Sequence, residues 1–179
     1  MRIKRLRIEN FRKFRKPVEL VGFGSGLNLI CEPNEVGKST VLEAMRAVLF
    51  ERHSAKGEKV KSFRPQGDEV APQLVLEFEV GGEAWTVEKK FWDKPTVTLT
   101  NGIKRFQSDE AEEKLQSLLG FARAGNRGAD DESRGALGLL WVEQGQSFAL
   151  DAPNQLARRT FEALLEGEVG AVTGGKRTA

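Results

Sequence analysis

With 179 residues, 39% of them hydrophobic and 30% charged, the chain is long enough to bury one ordinary globular core. No apolar run approaches the roughly eighteen residues of a membrane-spanning helix, so no membrane partner is expected. The basic first segment is followed by nothing like a signal-peptide core, which makes the cytoplasm the expected location. A single cysteine, Cys31, and a single histidine, His53, give no support to an intrachain disulfide, a cysteine metal cluster or a catalytic triad.

The net charge is only +2, but its distribution is uneven. Arg2, Lys4, Arg5, Arg7, Arg12, Lys13, Arg15 and Lys16 face one acid, Glu9, in the first sixteen positions. Two readings stand side by side. The segment is either a solvated edge strand protected by charge or a surface turned toward nucleic acid or phosphate.

Residues 2–8 read as a strand around Ile3, Leu6 and Ile8, with one break in the apolar spacing that calls for a bulge or a change of face. Val18 to Val21 forms a second strand, and Gly22, Gly24 and Gly26 mark a turn. Leu27, Leu29 and Ile30 form a short apolar strand, which places Cys31 at its end as a buried, inert thiol. From Lys38 to Phe50 the period becomes helical, through Val41, Leu42, Met45, Val48 and Leu49, with Ala44 and Ala47 beside them. Residues 51–71 are polar and read as a loop that orders on its ligand. Leu74, Leu76 and Phe78 alternate with Val75, Glu77 and Glu79, Gly81-Gly82 turns the chain, and Ala84 to Phe91 returns. Val97 and Leu99 add a strand before the Asn101-Gly102 hairpin turn, completing an antiparallel meander. Ser108 is placed to cap a helix with Ala111, Leu115, Leu118 and Leu119 on its apolar face, ending near Gly120. A loop from Ala122 to Arg134, a buried strand from Leu137 to Val142 and a helix from Pro153 to Leu165 complete the pattern.

Glu32-Pro33-Asn34-Glu35-Val36-Gly37-Lys38-Ser39 has the order of a phosphate-binding loop, between an apolar strand and an apolar helix. Backbone N–H groups from residues 35 to 40 can converge on a β-phosphate at the helix amino end. Lys38 brings a charge to the β- and γ-phosphates, Ser39 a hydroxyl to Mg²⁺, and Thr40 a hydroxyl to the α-phosphate. ATP and Mg²⁺ are therefore the expected ligands, with Asn34, Glu35, Val36, Gly37, Lys38, Ser39 and Thr40 as the cradle. Glu32 stands where such loops begin with glycine. A left-handed backbone there would cost roughly 1 kcal/mol, and its carboxylate has to point away from the phosphates.

Asn10-Phe11-Arg12, Gly26-Leu27-Asn28-Leu29-Ile30 and Pro33-Asn34-Glu35-Val36-Gly37-Lys38-Ser39-Thr40 together resemble the amino-terminal lobe of SMC-type ATPase heads. The pattern is similar to SbcC-like double-strand-break repair ATPases and to AAA-type ATPases with an Asn-Glu-x-Gly-Lys-Ser-Thr loop. Leu140-Trp141-Val142-Glu143-Gln144-Gly145-Gln146 resembles their Q-loop. The resemblance implies an α/β P-loop NTPase fold: the amino-terminal lobe of an ABC-type head, with an antiparallel meander beside the phosphate-loop strand and helix. It assigns residues 1–169 to that lobe and 170–179 to the start of a coiled-coil arm or a truncated tail. It also implies that Arg12 contacts the phosphates, that Gln144 completes the Mg²⁺ shell and senses the γ-phosphate, and that Arg64 passes near the adenine. Lys38 and Gln144 would then be the catalytic pair, and Ser39 and Gln144 the metal ligands. The implied partners are a carboxy-terminal lobe, a second head in an ATP-dependent dimer, DNA for the whole assembly, and a nuclease subunit.

No Walker B strand is found. Leu74-Val75-Leu76-Glu77 has only three apolar residues before its acid, and Thr173-Gly174-Gly175-Lys176 is no signature loop without a Walker B after it. Two functions follow. The chain is half of an ATPase head, binding ATP but not turning it over alone, or it is a P-loop-like module that binds DNA or protein without ATP turnover.

Overall fold

The computed structural model describes residues 1–121. The expectations for residues 122–134, 137–142, 153–165 and 170–179, and for Gln144, lie outside the described residues. Six strands form one antiparallel sheet in the order β2-β1-β3-β4-β5-β6. They are β1 (Arg2–Glu9), β2 (Val18–Val21), β3 (Gln73–Val80), β4 (Glu83–Lys90), β5 (Thr96–Thr100) and β6 (Arg105–Gln107). Helices α1 (Lys38–Phe50), α2 (Glu58–Lys61) and α3 (Ser108–Leu119) complete the described structure.

Alternation of side chains on a strand sends every second residue to one face. Leu6 and Ile8 of β1, Leu74, Leu76 and Phe78 of β3, Trp85 and Val87 of β4, and Val97 and Leu99 of β5 are all buried on that principle. Helix α1 packs against β1, β3 and β4 through Val41, Ala44, Met45, Val48 and Leu49, while α3 packs against β5 and β6. Each large apolar side chain so buried contributes roughly 1.5–3 kcal/mol. The meander forms as its turn signals require. Gly81 and Gly82 both take positive φ between β3 and β4, and Asn101 Oδ1 accepts from the N–H groups of Ile103 and Lys104 at the β5–β6 turn. The expected bulge in β1 falls between Ile3 and Arg5.

Four expectations need correction. β1 is not an edge strand: β2 and β3 pair on either side of it, and β2 is the edge. Residues 27–30 form no strand and join no strand of the sheet. Leu27 is 96% and Leu29 79% exposed, and Cys31 is exposed rather than buried. Residues 51–71 are not all loop. They contain α2, and they send His53, Val60 and Phe63 into the core. Ser108 is not a cap either: Gln107 holds that position, and α3 has no side-chain cap hydrogen bond. The helix end is as expected, with Gly120 left-handed at φ 67° and its N–H on the Gln116 carbonyl.

The basic first strand is neutralised across the sheet. Arg5 bonds Glu19 on β2 at 2.7 Å and Glu77 on β3 at 2.8 Å, Arg7 bonds Glu9 at 2.7 Å, and Lys4 meets Glu79 at 2.9 Å. The hydrogen bonds from Arg5 hold the Glu19 carboxyl below its usual range, and those from Lys4 do the same for Glu79. The Arg5 guanidinium is correspondingly pushed up, first by its bond to Glu19. This strand face is a ladder of cross-strand pairs rather than an uncompensated cationic surface.

Candidate phosphate-loop site

Helix α1 begins at Lys38 with Gly37 as its N-cap, no side-chain cap bond and no acid in its first turn. Its leading N–H groups thus meet neither a capping side chain nor a repelling carboxylate of the helix's first turn, a terminus suited to an anion. Gly37 takes φ 123°, which favours glycine, and space excludes a side chain independently. A Cβ there would lie 2.6 Å from Phe14 Cζ and 3.1 Å from Lys13 Cδ.

Phe14 reaches that position through a tight turn. Phe11 and Phe14 exchange both backbone hydrogen bonds at 2.9 Å, with Asn10 and Arg12 in left-handed conformations at φ 53° and 52°. The turn that begins with Asn10-Phe11-Arg12 thus brings Phe14 and Lys13 against Gly37, and Arg12 into the same cleft as Thr40. The Arg12 guanidinium forks onto Glu43, one turn into α1, with Nε 2.8 Å from Oε2 and Nη2 on Oε1. The Arg12 N–H bonds the Phe63 carbonyl at 2.6 Å, which ties the turn to the segment carrying Arg64.

An open cleft of about 1000 Å³ runs beside this junction. Arg12, Thr40 and Arg64 line it together, with Lys13, Arg15 and Lys61 adding positive charge and Glu58, Asp68 and Glu69 opposing it. Arg15 is occupied by Asp68 and by the Gln66 carbonyl at 3.0 Å. Arg64 lies over the Trp92 ring, 4.3 Å from its centre.

The other loop side chains are dispersed. Ser39 lines a separate hollow with Glu43, Arg46, Glu51 and Lys59, and Lys38 borders a third with Ile30, Val41 and Met45. Lys38 Nζ donates to the Glu32 and Pro33 carbonyls at 2.7 and 2.9 Å, so the ammonium is tied to the loop's own backbone. Asn34, Glu35 and Val36 are exposed. The left-handed non-glycine residue of the loop is Glu35, at φ 69°, and not Glu32.

Sequence reasoning missed two features. Trp92 stands in the β4–β5 connection at φ 75°, just past the strand that the sequence pattern ends at Phe91. Lys89 is wholly buried and bonds Glu112 at 3.0 Å and the Glu51 carbonyl at 2.8 Å, while Glu112 also takes the His53 N–H at 2.9 Å. Its inward register after Trp85 and Val87 was the available signal, since the same alternation that buries them buries Lys89.

The family model described as an AAA domain matches residues 5–133, most of the chain. The chain belongs to this AAA domain family. An uncharacterised protein of Mycobacterium tuberculosis is 27% identical over 123 residues, covering 66% of this chain and 14% of that protein. A DNA double-strand break repair Rad50 ATPase of Methanococcus maripaludis is 27% identical over 124 residues, covering 66% of this chain and 12% of that one. The AAA domain chain thus spans about one-seventh or less of the length of the curated relatives it matches. A solved SMC ATPase, described for ATP-driven dimerization and DNA-stimulated activation, aligns at TM-score 0.55 and 16% identity over 92% of this chain and 99% of its own. The fold is accordingly the α/β P-loop NTPase fold of an ABC-type ATPase head, with the sheet beside its helices.

Proposed function

We propose that this AAA domain is the ATP- and Mg²⁺-binding amino-terminal lobe, residues 1–169, of an SMC-like ATPase head. The observation that carries the reading is the packing of the Asn10–Phe14 turn onto Gly37, beside a cleft that Arg12, Thr40 and Arg64 share. The uncapped, acid-free start of α1 fits a phosphate.

In this reading Lys38 exchanges the Glu32 and Pro33 carbonyls for phosphate oxygens, a stronger charge-assisted pairing. Arg12 and Arg64 approach the nucleotide from the cleft, and Asn34, Glu35 and Val36 contribute backbone N–H groups. Ser39 and Gln144 hold the metal. Bound Mg²⁺ would neutralise developing phosphate charge. Among the described residues Ser39 is the one proposed metal ligand, and it has to turn from its present hollow toward the cleft.

Turnover needs more than a cradle: an ordered water and charge stabilisation from the opposite side of the γ-phosphate. No Walker B strand is legible in the 179 residues. We therefore assign hydrolysis to an assembly with a carboxy-terminal lobe and a second head, acting on DNA in repair or chromosome maintenance, with a nuclease subunit as a further partner. The Rad50 ATPase and the SMC ATPase among the similar proteins support that assignment. Phosphate release from the purified chain should equal that of a Lys38→Ala control, and a carboxy-terminal lobe added in trans should raise it only for the wild type. Lys38-dependent turnover by the chain alone would overturn the half-head reading. ATP-independent DNA or protein binding, with no nucleotide affinity, would establish the interaction module instead.

A further inference from the structure

Three phenylalanines stack in the core beneath the cleft. Phe11 and Phe63 lie with ring centres 4.9 Å apart, and Phe63 meets Phe91 edge-on at 5.6 Å. All three are essentially inaccessible. The residue that follows each is more exposed: Arg12 and Arg64 line the cleft, and Trp92 lies under Arg64. The aromatic stack therefore fixes three backbone points from which Arg12, Arg64 and Trp92 project.

Trp92 is the unusual member. Its φ of 75° is one that bulky residues rarely adopt, and Lys94, two residues on, is also left-handed at 43°. Such a conformation costs roughly 1–3 kcal/mol and persists only where surrounding structure enforces it. Here the strained backbone is associated with a ring 4.3 Å from the Arg64 guanidinium carbon. Arg64 Nε is buried with no hydrogen-bond partner among the described residues. Among the described residues no carboxylate bonds Arg64, although Glu58, Asp68 and Glu69 line the same cleft, and the Trp92 ring is the side chain that its guanidinium lies against.

We propose that Trp92 is a positioning residue for the nucleotide: it holds the Arg64 guanidinium at the cleft wall without neutralising it, leaving its charge for a nucleoside triphosphate. Arg12 is positioned differently, by a carboxylate that competes with phosphate. This inference rests on the ATP-binding reading and adds to it a residue outside the phosphate-loop motif.

The test is ATP titration of the full chain with Trp92→Leu, Trp92→Phe, Arg64→Ala and the Trp92→Leu/Arg64→Ala pair, beside Lys38→Ala. Trp92→Leu should bind ATP about three- to fivefold more weakly, the range of a partly exposed cation–π contact. Trp92→Phe should recover most of that loss, and the pair should bind no more weakly than Arg64→Ala alone. Should Trp92→Leu not fold, fluorine NMR of 5-fluorotryptophan-labelled protein replaces it. The Trp92 signal, assigned by its loss in Trp92→Phe, should shift with ATP in the wild type and stay fixed in Arg64→Ala. Wild-type affinity in Trp92→Leu with Lys38→Ala defective, additive losses in the pair, or a Trp92 shift that persists without Arg64 would each overturn the role of Trp92 alone. Equal ATP affinity in Lys38→Ala and wild type would instead overturn the ATP-binding reading beneath it.

Discussion

Glu35 shows how a local rule can be broken at a site without disturbing the fold. A left-handed glutamate costs roughly 1 kcal/mol relative to glycine, because its Cβ crowds the following carbonyl. The sequence placed this concern at Glu32, where phosphate loops begin with glycine. The chain instead turns at Glu35, and Glu32 serves through its carbonyl, which receives Lys38. Glu35→Gly should therefore leave the fold intact and change stability by no more than about 1 kcal/mol, since backbone relief and unfolded-state entropy oppose each other. ATP affinity should hold or rise, with one carboxylate removed from the loop. Urea melts and an ATP titration of Glu35→Gly against wild type check both; a clear loss of affinity would give the Glu35 side chain a direct role.

Elements built on a strong period were legible, and those that depend on distant partners were not. Val41, Met45, Val48 and Leu49 mark α1 unaided, and Asn101-Gly102 marks its hairpin, because the causes are local. The strand expected at Leu27, Leu29 and Ile30 depends on a neighbour that no local pattern supplies. The buried Lys89–Glu112 pair is non-local in the same sense, joining β4 to α3 and the end of α1. Glu112→Ala removes the carboxylate that faces a buried ammonium and accepts the His53 N–H, and should cost about 3 kcal/mol or more in a chemical melt. A small effect of Glu112→Ala alone would contradict this. On the opposite face of the sheet, Glu19 titrates below its usual range because Arg5 bonds it. A depressed carboxyl contributes its stabilisation above the unfolded-state pKa and loses it as pH falls through the lower folded value. The stability gap between wild type and Glu19→Gln should thus be present at neutral pH, shrink in acid below the ordinary glutamate range, and narrow in high salt. A gap that widened in acid would contradict the ladder.

For the molecule as a whole, the sheet order and the one-sided packing of α1 and α3 bring two motifs together that the sequence could name but not place. Asn10-Phe11-Arg12 and Gly37-Lys38-Ser39-Thr40 are more than twenty positions apart, yet Phe14 rests on Gly37 and Arg12 shares a cleft with Thr40 and Arg64. The motif spacing names Lys38, Ser39 and Thr40 together, whereas in the fold they border different hollows, so the proposed ATP site requires the loop to rearrange around its ligand. The central claim is that this rearranged loop binds Mg²⁺·ATP. Its most direct measurement is calorimetric titration of ATP into the purified chain, with and without Mg²⁺, for wild type and Lys38→Ala. Binding should be enhanced by Mg²⁺ and weaken by roughly tenfold or more in Lys38→Ala, the worth of a lost charge-assisted bond. Equal affinity in the two proteins would contradict it.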